Sequence, residues 1–211
     1  MKKFDNTRRI LDSGALAVVR AEPERVLEIA RGILQGGIPV MEVSYTNASA
    51  ARAIDLVHDK LGDAVLVGAG TVNNGPSAKD AIAHDAGFLY SPIFDQDVMN
   101  IANEYQVPYA PGCSTVTEIV QAMRAGATFI KYFPYGAILG PKVISVIKTP
   151  IPDIPLLESG AVTTDNIEEW LEAGVEVVGI GGALSHGSSD DIAGQARIIR
   201  QKIDVFRSKN K

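Results

Sequence analysis

A lysine inside a strongly apolar run has the clearest chemical potential in this sequence. Lys131 lies in FIKYFP, residues 129–134, a run typical of a buried strand. Burial disfavours the ammonium form of lysine and yields a neutral amine that can attack a carbonyl carbon. If Lys131 points inward, Phe129 and Phe133 do so too. Two structural explanations stay open here: a side chain that snorkels outward between helices, and one that pairs with a carboxylate.

A glutamate repeats this anomaly with the opposite charge. Glu42 lies in VMEVS, residues 40–44, another apolar run. Because side chains alternate along a strand, an inward Glu42 brings Val40 and Ser44 to the same face. An amine that forms an imine and a carboxylate that moves protons suit each other in one site. The alternative is a buried ion pair without a chemical role, which is less favourable than an apolar pair.

The elements that must position these side chains repeat along the chain. Eight short apolar runs recur at intervals of roughly 20–25 residues. They cover residues 15–20, 40–45, 64–71, 88–92, 107–112, 129–134, 154–159 and 175–182. Helical stretches lie between them, most clearly at residues 24–35 and 50–61, and capping motifs begin others at Thr115 and Asp165. Strands that alternate with helices imply parallel pairing. We therefore predict an α/β fold, a single (β/α)8 TIM barrel domain over residues 1–211, with a doubly wound open sheet as the alternative.

A barrel places its active site at the carboxyl ends of the strands, where further polar residues follow the apolar runs. Arg20 ends the first run and is suited to bind a carboxylate, and Thr71 ends the third with a hydroxyl group. The seventh and eighth runs end in small residues: Ser159, Gly160, Gly181 and Gly182. Many barrels bind phosphate there through backbone N–H groups, and tight turns explain the glycines as well. Glu158 would add a negative charge if it faced the mouth.

The composition excludes several classes of protein. The chain has 211 residues, of which 46% are hydrophobic and 21% charged, and a net charge of −5. These values are typical of a globular protein and argue against disorder, a broadly basic nucleic-acid surface and a membrane protein. One cysteine, Cys113, fits a reducing compartment, and no His, Asp or Glu cluster has metal-ligand spacing. We expect a cytoplasmic protein that uses no metal or other cofactor.

Four motifs occur in a fixed order: MEVS at residues 41–44, GAGT at 68–71, PGCST at 111–115 and KYFP at 131–134. From about residue 20 to residue 184 the chain resembles the 2-keto-3-deoxy-6-phosphogluconate (KDPG) and 4-hydroxy-2-oxoglutarate (KHG) aldolases. The resemblance implies a class I enzyme, with Lys131 as the imine-forming lysine and Glu42 as the general acid and base. It implies a set of residues around the pyruvyl unit: Arg20, Thr71, Pro92 and Phe133. The products would be pyruvate and either glyceraldehyde 3-phosphate or glyoxylate.

The same resemblance implies a homotrimer and a place in sugar-acid breakdown of the Entner–Doudoroff type. The chain departs from the family pattern where the distal end of the substrate binds. Thr46 stands where the family usually has arginine, ESGA at residues 158–161 replaces PTGG, and Ala183 replaces serine. Each charge-assisted hydrogen bond lost would weaken binding of a phosphate dianion by about 1.5–3 kcal/mol. A related sugar acid with an altered or unphosphorylated tail is therefore an alternative substrate.

Two alternatives from other classes remain at this point. A sugar-phosphate isomerase or epimerase barrel would use Gly181 and Gly182 to bind phosphate and would form no imine. A barrel that only binds a ligand would need neither Lys131 nor Glu42, although idle buried charges are unfavourable. Trapping of an imine with borohydride separates both from an aldolase.

Overall fold

The computed structural model describes residues 2–209, in which a ring of parallel strands is surrounded by helices. The strands are β1 (Ala15–Val19), β2 (Val40–Ser44), β3 (Leu66–Gly70), β4 (Leu89–Tyr90), β5 (Tyr109–Ala110), β6 (Gly112–Cys113), β7 (Ile130–Tyr132), β8 (Leu156–Ser159) and β9 (Val177–Ile180). The helices are α1 (Lys2–Ser13), α2 (Pro23–Gln35), α3 (Ala50–Leu61), α4 (Gly75–Ala83), α5 (Gln96–Glu104), α6 (Val116–Ala125), α7 (Gly136–Leu139), α8 (Lys142–Lys148), α9 (Ile167–Glu172) and α10 (Ser189–Lys209).

The ring closes through a strand that is divided in two. The strands pair in the order β5-β4-β3-β2-β1-β9-β8-β7-β6, and its two ends, β5 and β6, are separated in the chain only by Pro111. Proline has no N–H to donate, so the ladder is interrupted there. The N–H of Lys131 donates to the Pro111 carbonyl (3.0 Å), and the N–H of Thr128 donates to the Tyr109 carbonyl (2.9 Å). The predicted eight-stranded barrel is confirmed, with its fifth strand in two pieces, and the open sheet is wrong.

Alternating side chains form two apolar clusters, one inside the ring and one between the ring and the helices. The interior cluster includes Leu16, Val40, Phe129 and Val177, whereas Ile130 and most strand residues of opposite parity belong to the outer cluster. This parity decides which residues can reach the barrel interior. Because Phe129 faces inward, Lys131 does so as well, as the sequence predicts.

The helices mostly begin and end where the sequence predicts. The stretch 50–61 matches α3, and 24–35 lies within α2. At the start of α6 the Thr115 hydroxyl accepts a hydrogen bond from the Glu118 N–H (3.3 Å), and the Glu118 carboxylate accepts one from the Thr115 N–H (2.8 Å). The prediction of a start at Asp165 is wrong, because α9 begins after Asn166, whose side chain accepts a hydrogen bond from the Thr163 N–H.

The first helix closes the amino-terminal end of the ring. Ile10 of α1 packs in the interior cluster with residues at the beginning of several strands, and the Asn6 side chain donates a hydrogen bond to the Gly87 carbonyl (2.8 Å). The opposite, carboxyl-terminal end is therefore the open mouth. Between residues 2 and 209 we find no helix of the length and apolar character needed to cross a membrane.

Candidate active site

Lys131 lies in β7 with its amine inside the barrel. The residue is only 8% exposed, and its Nζ lies 5.5 Å from the centroid of the Phe133 ring, the next inward residue along the chain. Among residues 2–209 the amine forms no ion pair within 4.0 Å. Both structural explanations for Lys131 are therefore excluded: the side chain does not point outward between helices, and within the described residues it forms no ion pair with a carboxylate.

Glu42 lies in β2 and is 1% exposed. A Cβ atom placed on Gly70 would be 1.6 Å from its Oε1, so the carboxylate occupies the space that this glycine of β3 leaves free. The other oxygen, Oε2, is buried and has no hydrogen-bond partner. Glu42 is in no ion pair within residues 2–209, so the interpretation as a bonded Lys131–Glu42 pair does not fit.

The two charged residues belong to one layer of the barrel interior. In barrels of this type each layer takes side chains from alternate strands and climbs by about one residue per strand. Counted through the strand pairings, the layer of Glu42 includes Tyr90 of β4, Lys131 of β7 and Gly179 of β9. We call these four residues the polar layer. Three of them bring a polar side chain, and Gly179 brings none.

Hydroxyl groups connect the polar layer to the mouth. The Ser44 Oγ lies 3.0 Å from the Thr46 Oγ1 and 3.1 Å from the Thr71 Oγ1, both within hydrogen-bond distance. Thr71 has a φ of 59°, a left-handed conformation that is unfavourable for a β-branched residue. Thr46 and Thr71 are predicted site residues. Ser44 is not among the predicted site residues, although its position two residues after Glu42 puts both side chains on the same face of β2.

Three other predicted residues surround the mouth. Arg20 directly follows β1, is exposed, and has no hydrogen-bond or ion-pair partner within the described part of the chain. Phe133 covers Lys131, as described above. Pro92 follows β4, and a Cβ atom on Gly112 would be 2.1 Å from its carbonyl oxygen, so that the end of β4 lies directly against β6. A guanidinium at the mouth of a barrel that holds a buried amine suits a substrate that carries a carboxylate.

The ends of β8 and β9 form the remaining side of the mouth. Ser159 faces inward and lies against Gly179. A Cβ atom placed on Gly179 would be 2.5 Å from the Cβ of Ser159. Gly160 has a φ of 103°, which glycine adopts readily. Gly181 precedes a 3-10 turn (Gly182–Leu184), and its carbonyl accepts a hydrogen bond from the Ser185 hydroxyl (2.7 Å).

Glu158 does not add a charge to the mouth. Its neighbour Leu157 lies in the interior cluster, so Glu158 faces the helix layer, where a Cβ atom on Gly136 would be 2.1 Å from its Oε2. Burial raises the pKa of Glu158 to about 8, against the opposing effects of Lys131 and the Ser159 backbone. The expectation that Glu158 repels an anionic substrate is therefore wrong, because the carboxyl group points away from the mouth into the helix layer.

Histidine, cysteine and acidic side chains are the residue types that could add a metal ligand or a nucleophile to the described part of the chain. Among residues 2–209, no three His, Cys, Asp or Glu side chains are placed to hold a metal ion. Cys113 is buried in β6, and burial raises the pKa of its thiol to about 12, which keeps it protonated and unreactive.

Comparison with known proteins agrees with this arrangement. Residues 8–199 match the family model "KDPG and KHG aldolase". The 2-dehydro-3-deoxy-6-phosphogalactonate aldolase of Escherichia coli (strain K12) is 32% identical over 172 residues, which are 80% of this chain and 83% of that protein. The 2-dehydro-3-deoxy-phosphogluconate aldolase of Dickeya dadantii (strain 3937) is 31% identical over 201 residues, which are 91% of this chain and 93% of that protein.

Among solved structures, the KDPG aldolase of Legionella pneumophila, with pyruvate captured at low pH as a covalent carbinolamine intermediate, superposes with a TM-score of 0.83. It is 26% identical, and the match covers 92% of this chain and 97% of that one. Sequence and structure agree in placing this chain among the aldolases, which are lyases. The chain therefore belongs to the KDPG and KHG aldolase family.

Proposed function

We propose that this protein is a class I aldolase that cleaves a 2-keto-3-deoxy sugar acid, or 4-hydroxy-2-oxoglutarate, to pyruvate and an aldehyde. The observation that supports this most directly is the polar layer, in which a buried amine and a buried carboxylate share one level of the barrel without pairing. Idle charges in such a place are unfavourable, whereas an imine-forming amine and a proton-transfer group need this arrangement.

The reaction divides into balanced steps. The Lys131 amine attacks the C2 carbonyl, and loss of water with uptake of one proton from solvent gives a protonated imine; that proton returns to solvent when the imine is finally hydrolysed. Glu42 then accepts the proton of the C4 hydroxyl, the C3–C4 bond breaks, and its electron pair moves into the imine to give an enamine while the aldehyde leaves. Return of a proton from Glu42 to C3 and hydrolysis of the imine release pyruvate and restore both residues.

The residues at the mouth would hold the substrate. Arg20 would bind the pyruvyl carboxylate with its free guanidinium, and the Thr71 hydroxyl would donate a second hydrogen bond. Phe133 and Pro92 would bound the pocket on its apolar side. These roles come from the family resemblance, and the closeness of the Phe133 ring to the Lys131 amine supports the role of Phe133.

The distal group of the substrate would lie between the ends of β8 and β9. We propose that backbone N–H groups near Gly160 and Gly182 bind it, with Ser159 and Gly181 shaping the turns. The Thr46 hydroxyl would face it from the turn after β2. Because Glu158 points into the helix layer, the departures that bear on binding of a dianion are Thr46, Ala161 and Ala183. Rates with phosphorylated and unphosphorylated substrates test this. A preference for the phosphorylated acid is expected, and a preference for the uncharged tail would establish the altered-tail alternative.

Trapping tests the central step. Borohydride reduction in the presence of pyruvate should leave a stable adduct that peptide mass mapping places on Lys131. Lys131→Ala should lose the adduct and essentially all pyruvate release, while Lys79→Ala, which removes an exposed lysine of α4, should keep both. An adduct elsewhere, or full activity in Lys131→Ala, would refute the assignment.

We also propose that the active form is a homotrimer. An exposed apolar patch follows Lys131 in the chain and consists of Phe133, Tyr135, Ile138, Leu139 and Val146. Ile138 is 70% exposed, which is unusual for isoleucine and typical of an interface. Light scattering should give three times the mass of one chain, and Ile138→Asp should reduce it. Val205→Asp, at an exposed position of α10, should not. A monomer at micromolar concentration would refute the proposal.

The location proposed is the cytoplasm, where a free, buried Cys113 is stable in its reduced form and sugar acids of this class are broken down. Activity recovered in the cytosolic fraction of the source cells would agree with it, and activity in the membrane or secreted fraction would contradict it.

A further inference from the structure

Two of the buried polar atoms that lack a partner lie in the polar layer. Between residues 2 and 209, four buried side-chain N or O atoms have no hydrogen-bond partner: Glu42 Oε2, Tyr90 Oη, Glu158 Oε2 and Trp170 Nε1. A buried polar group normally finds a partner, so each exception calls for an explanation. The phenol of Tyr90 can donate a hydrogen bond to a nearby acceptor, and a carboxylate such as that of Glu42 accepts one.

The strand register puts these two groups side by side. Ala69 of β3 pairs with Leu89 of β4, so Gly70 and Tyr90 are the next residues along two adjacent parallel strands. Both face the barrel interior, because Ala69 and Leu89 belong to the outer cluster. Since the Glu42 carboxylate occupies the space in front of Gly70, it lies directly beside Tyr90.

The ring of Tyr90 is held firmly in this position. It is completely buried, and its centroid lies 4.6 Å from that of Phe88. Phe88 in turn fills the space in front of Gly68, where a Cβ atom would be 2.3 Å from the Phe88 ring. Burial, together with the charge of Glu42, raises the pKa of Tyr90 well above its usual value, so the phenol keeps its proton.

We propose that Tyr90 is a positioning residue of the aldol reaction, whose hydroxyl donates a hydrogen bond to Oε2 of Glu42 in the substrate complex. A hydrogen bond donated to a carboxylate favours its charged form, and this one leaves Oε1 free to accept the proton of the substrate. Hydrogen bonds of this kind often form fully only when the substrate is bound. The proposal rests on the proposed function, because it gives Tyr90 a role only through Glu42.

The surroundings of Glu42 make the effect of the phenol measurable. Among the described residues, Lys131 is the ionisable residue that shares the polar layer with Glu42 and Tyr90, and Arg20 follows β1 at the mouth. Ser44 and Thr71 contribute hydroxyl groups that do not ionise in the range of interest. Replacing Tyr90 by phenylalanine therefore removes one hydrogen-bond donor and leaves the neighbouring charges unchanged.

The test compares Tyr90→Phe with Tyr109→Phe. Tyr109 is also buried, but it belongs to the outer cluster, and its hydroxyl donates to the Ile93 carbonyl (3.2 Å) away from the polar layer. In Tyr90→Phe the acidic limb of kcat/KM against pH should move up by about one pH unit, because the ionised carboxylate loses a donor. The value of kcat should fall about tenfold with KM nearly unchanged. Tyr109→Phe should alter neither.

The variant Glu42→Gln distinguishes a failure of the role proposed for Tyr90 from a failure of the proposed aldolase function. If this variant loses activity and Tyr90→Phe keeps the wild-type acidic limb and kcat, Tyr90 has no positioning role and only this inference is overturned. Equal shifts in Tyr90→Phe and Tyr109→Phe would also overturn it, since they would indicate general loosening of the barrel. Full activity in Glu42→Gln would refute the proposed function, and the role of Tyr90 would fall with it.

Discussion

Two buried glutamates, Glu42 and Glu158, differ in function because their side chains leave the barrel wall in opposite directions. Glu42 faces the interior beside Gly70 and can meet a substrate. Glu158 faces the helices below Gly136, where water and substrate do not reach it. A carboxyl group in the second environment acts on stability and on its dependence on pH.

Glu158→Gln should change how stability varies with pH. The folded protein holds the Glu158 proton up to about pH 8, whereas the unfolded chain releases it near pH 4.5, so the folded state binds more protons between these values. The free energy of unfolding therefore falls as the pH rises through this window, by on the order of 3–5 kcal/mol from this group. In Glu158→Gln this loss should disappear. Urea unfolding at pH 5, 7 and 9 measures it, and parallel curves for both proteins would contradict the prediction.

Gly70→Ala should remove activity while leaving Glu42 in the sequence. The added methyl group would overlap with Oε1, so the carboxylate must rotate away from its place in the polar layer. We expect kcat for aldol cleavage to fall about 100-fold, a range typical of a lost proton-transfer group, with the borohydride adduct on Lys131 still formed. Wild-type kcat would show that Glu42 reaches the substrate from another position.

The charged site residues could be predicted from the sequence because lysine and glutamate are rare inside apolar strands. Lys131 and Glu42 stand out for that reason, and their shared parity follows from the alternation of side chains. Tyr90 could not be found in this way, because a tyrosine in FLYSP is an ordinary core residue. Its partner is specified by the register between β3 and β4, which no local pattern encodes. The direction of the Glu158 side chain likewise follows from the arrangement of the strands, because its neighbour Leu157 faces the interior.

At the level of elements, the repeat of strand and helix predicts the barrel, and details of backbone hydrogen bonding modify it. The fifth apolar run appears as β5 and β6 because Pro111 cannot donate to the ladder. The helix α1 has too few apolar residues for a clear period-based prediction, yet Ile10 alone closes the end of the interior cluster. The position of α1 therefore depends on the packing of Ile10 against the interior cluster, which the local sequence pattern does not show.

The long helix α10 offers a change that should stabilise the protein. Gly194 lies within α10, and a Cβ atom there would have no other atom within 4 Å. Gly194→Ala should therefore raise the free energy of unfolding by about 0.5–1 kcal/mol, because alanine loses less backbone entropy in a helix. Urea denaturation measures this, and kcat should stay at the wild-type value. The variant thus also serves as a control for Gly70→Ala, and a lower unfolding midpoint would contradict the expectation.

At the level of the whole molecule, the sequence predicts one domain over residues 1–211, and we expect one cooperative unfolding transition. The single tryptophan, Trp170, is buried in α9 and reports on the outer layer, while far-ultraviolet circular dichroism reports on all helices. At one protein concentration both signals should give the same midpoint. Two separate midpoints would indicate that part of the ring unfolds independently.

Substitutions at glycines of the barrel wall should disturb the site as well as substitutions of its functional side chains. Gly70 makes room for Glu42, Gly112 lies against Pro92, and Gly179 lies against Ser159. In each case one position supplies the chemical group and another supplies the space in which it sits. A chain of this kind can therefore lose its reaction by gaining a single methyl group, at a residue that never touches the substrate.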